Sequence, residues 1–178
     1  VAVAFAFLRA INTGGRRLTN DALLAPFRQL GLDEPRAYQA SGNVVFRTDR
    51  DLDDLEEELA SVSARAYGFD VPVFLRSDAE LRAVTAAVPF SAEQLAATER
   101  RAQVTFLAST PDEDRWSEVL DLTPAEDLVA LHERQWYWLP RAGVSTSLLP
   151  VSRIERILGP MTMRTVATLD RLITRFGA

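Results

Sequence analysis

Cysteine and lysine are both absent from the 178 residues, and histidine occurs once, at His132. Without cysteine there is no disulfide framework, no thiolate nucleophile and no cysteine zinc site. One histidine cannot build a histidine-rich metal site, so no metal is expected. Without lysine there is no Schiff-base chemistry and no lysine for a phosphate-binding loop; the twenty basic side chains are all arginine. Long apolar runs are missing too, none nearing the roughly 18 residues that span a bilayer. The opening Val1–Leu8 run is too short for a signal peptide and no basic leader precedes it, so the expected address is cytoplasmic, with no membrane. The net charge of −5 argues against nucleic-acid binding by long-range attraction. What is present is the ordinary balance of a globular chain, 47% hydrophobic and 25% charged, at a length that suits one domain or two small subdomains.

Alternation through Val1–Leu8 puts Val1, Val3, Phe5 and Phe7 on one face and three alanines with Leu8 on the other, a strand pattern whose small face suits a closely packed helix. A polar double-glycine loop, Arg9–Arg17, follows. Thr19 or Asn20 then caps a helix striped by Leu23, Leu24, Phe27 and Leu30 and stopped by Gly31, with Pro26 predicted to delay or bend it. Arg36–Ala40 and Val44–Thr48 read as a hairpin around Ser41-Gly42-Asn43. Asp51–Ala66 is the clearest helix, and Val71–Leu75, entered through Pro72, reads as an edge strand. Strand, helix, strand, strand, helix, strand is the order of a ferredoxin-like α/β plait.

Asp78–Val88 and Ser91–Thr98 read as connecting helical segments. Gln103–Ala108 then reads as a strand, Pro111–Leu120 as a helix, Leu128–His132 and Gln135–Leu139 as a hairpin, and Pro150–Leu158 and Thr162–Phe176 as helices. The second half repeats the pattern of the first, with a final helix where a fourth strand would stand, although no sequence repeat is evident. The expected fold is α+β: two ferredoxin-like subdomains of antiparallel sheet with helices on one face, and extra C-terminal helices. Residues 1–77 form the first subdomain, 78–100 a helical connector and 101–178 the second.

In such a plait the Gly14-Gly15 loop and the Ser41-Gly42-Asn43 turn lie at the same end of the first sheet. That rim gathers Arg9, Asn12, Gly14, Gly15, Arg16, Gln39, Ser41, Gly42 and Asn43. Glycines let backbone N–H groups approach a ligand, a helix N-terminus favours anions, and arginine forks pair with phosphate or carboxylate. The plain alternative is that the glycines turn the chain, Asn43 ends a hairpin and the arginines are solvated.

Leu8-Arg9-Ala10-Ile11-Asn12-Thr13-Gly14-Gly15 resembles the LRGINVGG opening of the bacterial domain-of-unknown-function family 1697, and Gln39–Phe46 is similar to its QSGNVVF segment. Ser145–Ser147, Ile154–Gly159 and Thr162–Thr165 with Thr168-Leu169 resemble its closing pattern. The resemblance implies paired α/β plaits and supplies no reaction. Ala10 replaces a glycine, Thr13 a valine, and the closing TxRNxxT has Thr165 where the family carries asparagine. Arg164, retained from that pattern, joins the candidate ligand-binding residues, one helical turn from Thr168.

His132 reads as a surface or structural histidine, since no nucleophile or orienting partner accompanies it. The acidic run Asp49–Glu58 reads as the outer face of a helix, and Arg164, Arg171 and Arg175 as a solvated stripe. Phe5 and Phe7 invite an RNA-recognition reading, but the negative charge and the lack of a GFGFV-type segment oppose it. The leading expectation is binding of a small anionic ligand, phosphate- or carboxylate-bearing, at the rim. The alternative is a non-enzymatic interaction or homo-oligomerisation module using the Trp136-Tyr137-Trp138 hairpin, with nucleic-acid binding third. No cofactor is implied, and no residue stands out as a catalytic nucleophile or tuned acid.

Overall fold

The computed structural model describes residues 1–9, 11, 17–39, 41–99 and 101–178. Among these are two four-stranded antiparallel sheets and seven helices, and the chain divides into two compact units, residues 1–84 with 171–178 and residues 85–170.

The first unit runs β1 (Ala2–Leu8), α1 (Asn20–Gln29), β2 (Asp33–Tyr38), β3 (Asn43–Thr48), α2 (Leu52–Tyr67), β4 (Val73–Ser77) and α3 (Asp78–Ala86), with sheet order β2-β3-β1-β4. That is the plait expected from the element order, and Pro72 does precede an edge strand. Register places Ala4 opposite Phe46, Ala6 opposite Val44 and Leu75, and Leu8 opposite Val73, so these side chains share one face. They form a single core with Leu23, Leu24 and Phe27 of α1 and Leu55 and Leu59 of α2. Both helices therefore cover the alanine face, where the absence of bulk lets them approach. Leu55 and Leu59 are fully buried, each worth about 1.5–3 kcal/mol of transfer free energy.

Local chemistry fixes the helix ends. The Thr19 hydroxyl accepts from Ala22 N–H at 3.2 Å, so α1 starts at Asn20 and runs through Pro26 instead of starting beyond it. Asp51 accepts from the N–H groups of Asp53 and Asp54, and Gly68, at φ 77°, closes α2 in the left-handed conformation. The Tyr67 hydroxyl donates to Leu23 O at 2.6 Å and ties the end of α2 to α1.

The second unit contains α4 (Ala92–Ala97), β5 (Gln103–Leu107), α5 (Glu113–Leu122), β6 (Leu128–His132), β7 (Gln135–Leu139), α6 (Val151–Leu158) and β8 (Met161–Thr165), and α7 (Val166–Phe176) starts in it. Its sheet order, β6-β7-β5-β8, repeats the first sheet strand for strand. Leu107, Trp136, Trp138 and Met161 pack against Val119 of α5 and Ile154 of α6. Here the helix-facing side carries Trp136 and Trp138 where the first sheet carries Val44 and Phe46, and Gln103 and Thr105 stand at the places of Ala4 and Ala6.

One expectation is overturned. Residues 162–165 are not the start of a helix but β8, paired antiparallel to β5 from Gln103↔Thr165 to Leu107↔Met161. The apolar and β-branched segment Met161–Thr165 completes the ladder, and tertiary pairing overrides the helical spacing read across it. Helix α7 begins only at Val166, where the Thr165 hydroxyl accepts from Thr168 N–H at 3.1 Å. The fourth strand of the second plait is therefore present.

Candidate functional site

The last residue of β1 is held from two sides. Leu8 N–H donates to Gly42 O at 2.8 Å, and Arg9 N–H donates to Pro72 O at 3.0 Å. The β1–α1 loop thus leaves the sheet between the β2–β3 turn and the segment leading into β4. Gly42 has φ 73°, and a Cβ there would stand 2.7 Å from Leu8 O and 3.1 Å from the Ile11 side chain. Only glycine meets both the left-handed conformation and the close approach. Ile11 is buried in the helix-side core.

Asn43 is buried at 1% exposure, its side-chain amide donating to the Ser41 hydroxyl at 2.8 Å and to Tyr38 O at 3.3 Å. The buried amide is tied into the turn, as burial of a polar group requires. Gln39 takes φ 58° and is exposed, and Arg9 is half-buried. Arg9, Gln39, Ser41, Gly42 and Asn43 therefore belong to one end of the first sheet. Asn12, Gly14, Gly15 and Arg16 lie outside the described residues.

Arg164 belongs to the second unit, on β8. Its guanidinium donates from Nη1 to the Thr162 hydroxyl at 2.8 Å and to Met163 O at 2.7 Å, and burial pushes its pKa down to about 10. Desolvation disfavours the charge, and the hydrogen bonds offset that cost. It does not share a helix with Thr168, contrary to the expected spacing, because Arg164 is on the strand and Thr168 on α7.

Two buried charged residues escaped the sequence reading. Arg76, at 1% exposure, sits on β4 opposite Phe5 and donates from Nη1 to its neighbour's carbonyl, Leu75 O, at 2.7 Å. Asp127 is buried just before β6; its carboxylate accepts from Trp138 Nε1 at 2.9 Å, from Arg141 N–H at 3.1 Å and from the Ser147 hydroxyl. Asp127 binds the β6–β7 hairpin to the 141–149 segment. The only sequence signal was a carboxylate followed at once by an apolar strand, which is too common to single out. Among the described residues no group of three histidine, aspartate or glutamate side chains is placed to hold a metal, and no helix is long and apolar enough to cross a membrane.

The model of the DUF1697 family, a protein of unknown function, matches residues 2–137. The chain belongs to that family. The match takes in the β1–α1 loop, the β2–β3 turn and most of the second sheet. This DUF1697 member also superimposes on the conserved bacterial protein SP0830 from Streptococcus pneumoniae with a TM-score of 0.79, at 19% identity and over 99% of both chains. That likeness establishes the fold. No curated protein matches the sequence.

Proposed function

We propose that this DUF1697 member is a cytoplasmic binder of a small anionic ligand, phosphate- or carboxylate-bearing, taken up at the rim of the first sheet. The observation that carries the reading is the pair of backbone bonds from Leu8 and Arg9. They draw the glycine-bearing β2–β3 turn and the arginine-bearing start of the β1–α1 loop to one end of the sheet. Arg9 supplies a cation at that end, and the loop leads to Thr19 and the N-terminus of α1, whose dipole favours an anion. The role assigned to Asn43 is to hold the turn rigid, since its amide is committed to Ser41 and Tyr38. Trp136 and Trp138 are buried, so the aromatic hairpin offers little to a docking partner.

The test is a thermal-shift panel of phosphate, sulfate, nucleotides, sugar phosphates and carboxylates on the wild type and on Arg9→Ala and Arg16→Ala. A ligand at about a hundredfold over its dissociation constant adds roughly 2.7 kcal/mol of stability. A shift in the wild type that both variants lose supports the rim. A flat panel on well-folded wild type, or a shift that neither variant changes, overturns it.

A further inference from the structure

A cavity lies toward the other end of the same sheet from the rim. This cavity, of about 290 Å³, opens within the first unit, and Glu34, Arg36, Val45, Arg47, Arg175 and Phe176 contribute to its wall. Val3 pairs with Arg47 while Phe7 pairs with Asn43, which sets the cavity roughly 13 Å along β1 from the rim at about 3.3 Å per residue. Register puts Arg36 directly opposite Val45, and Arg47 two residues along β3 on the same face. Arg175 arrives from α7, its guanidinium 5.3 Å from the Phe176 ring centroid and 5.9 Å from that of Tyr38. Tyr38 and Phe176 meet edge to face at 5.8 Å. The rings orient the Arg175 guanidinium by cation–π attraction.

The charge here opposes that of the whole chain. Overall the protein carries −5, yet the cavity wall holds three arginines against the single carboxylate of Glu34. Glu34 pairs with Arg36 at 2.9 Å, both side chains more than half exposed. Among the described residues no side-chain hydrogen bond or ion pair engages the Arg47 guanidinium, not even with Asp33, its partner across the ladder.

The backbone is distorted at the same spot. The β2–β3 register slips between Asp33 and Arg36, and Glu34, a non-glycine residue before Pro35, takes φ 46°. A residue preceding proline favours extended backbone, so this is a strained position. Bulges of this kind re-aim side chains and recur beside binding sites. The consequence here is that Glu34 and Arg36 both reach the cavity wall.

We infer that this cavity binds a small dianionic phosphomonoester carrying a compact apolar group. Three guanidiniums from three elements suit a tetrahedral group with several acceptor oxygens, whereas one arginine fork satisfies a single carboxylate. Val45 and Phe176 supply apolar wall for the rest of the molecule, and the volume sits at the lower edge of ligand pockets. In this assignment Glu34 is the competing anion: it occupies Arg36 until a phosphate displaces it. The inference does not depend on the rim reading.

The experiment is titration calorimetry of the full chain with phenyl phosphate, compared with inorganic phosphate, benzoate and phenol. The proteins are the wild type, Arg47→Gln, Arg175→Gln, Glu34→Gln and Arg9→Ala, each checked for folding by circular dichroism. The expected result is preference for phenyl phosphate, with binding weakened about tenfold or more in Arg47→Gln and Arg175→Gln and tightened in Glu34→Gln. No heat up to millimolar phenyl phosphate overturns the inference. So does binding that ignores Arg47 and Arg175, and so does binding lost only in Arg9→Ala, which places the phosphate at the rim.

Discussion

In the first sheet the last residue of β1, Leu8, gives its N–H to Gly42 O at 2.8 Å; in the second, the last residue of β5, Leu107, gives its N–H to Arg134 O at 2.9 Å. The likeness continues residue by residue. Asn43 opens β3 opposite Phe7, and Gln135 opens β7 opposite Phe106, both amides buried. Arg76 and Arg164 stand at matching places on β4 and β8, each followed by a hydroxyl residue, and each gives Nη1 to the preceding carbonyl. Ser77 and Thr165 then accept from the N–H groups of Glu80 and Thr168 at the next helix.

The frames agree and the connections above them differ. The first sheet carries the long β1–α1 loop and a glycine turn. The second spans the same gaps with the short Ala108–Asp112 segment and the tight Glu133-Arg134 turn, Glu133 taking φ 52°. It is closed by the Asp127 network instead. Binding sites favour loops set on a rigid scaffold, so the proposed ligand binding goes with the longer connections of the first unit.

The largest effect belongs to the Asp127 network of the second unit. Asp127→Ala strands the indole N–H of Trp138 and the N–H of Arg141, and is expected to cost about 3 kcal/mol. Urea unfolding followed by tryptophan fluorescence measures it; a cost near zero would mean that the network does not brace the hairpin. Next comes the turn that distinguishes the units. Gly42→Ala must adopt a positive φ against a backbone oxygen at 2.7 Å, for an expected loss of about 1–3 kcal/mol. Arg134→Ala, at the matching place in the second sheet, is expected to lose less than about 1 kcal/mol, and equal losses would erase the distinction.

A modest effect at neutral pH, and one that sharpens under alkali, concerns one tyrosine in each unit. Burial lifts Tyr67 and Tyr137 from 10.0 to about 12, with Glu133 adding to the shift of Tyr137. A phenol that keeps its proton in the native state after the unfolded chain has lost it stabilises the fold below pH 10, and that contribution is lost as pH rises from about 10 to about 12. Melting temperatures of Tyr67→Phe and Tyr137→Phe across that window should fall less steeply than the wild type's. At neutral pH Tyr67→Phe forfeits its bond to Leu23 O, about 1 kcal/mol. Parallel curves for variant and wild type would contradict the assignment.

Periodicity and caps made the first plait legible. The alternation of Val3, Phe5 and Phe7 with alanine, the cap signal at Thr19 or Asn20, the acidic first turn from Asp51 and the Gly68 stop are local signals, and each acts within a few residues of where it is read. Strand β8 was illegible because the four residues after Met161 carry a spacing that continues into α7; only the free edge of β5 decides that they pair. For the same reason the equivalence of Arg76-Ser77 with Arg164-Thr165 passed unseen, since two residues make no repeat until the sheets align them. The meeting of the Leu8 end with the Gly42 turn followed from strand order, and so could be inferred beforehand. The cavity could not: Arg36, Arg47 and Arg175 are scattered charges in sequence, and Arg175 reads as part of a solvated helix stripe.

By itself the sequence determined the α+β class, the helix boundaries set by caps and glycines, the exclusion of thiol and lysine chemistry, and the family. These depend on residue type and on neighbours a few positions away. The tertiary structure alone decided that the final strand exists, that Asp127 is buried among donors, and that three distant arginines share one wall. Such facts depend on long-range pairing and on desolvation, which act between residues that the chain holds far apart.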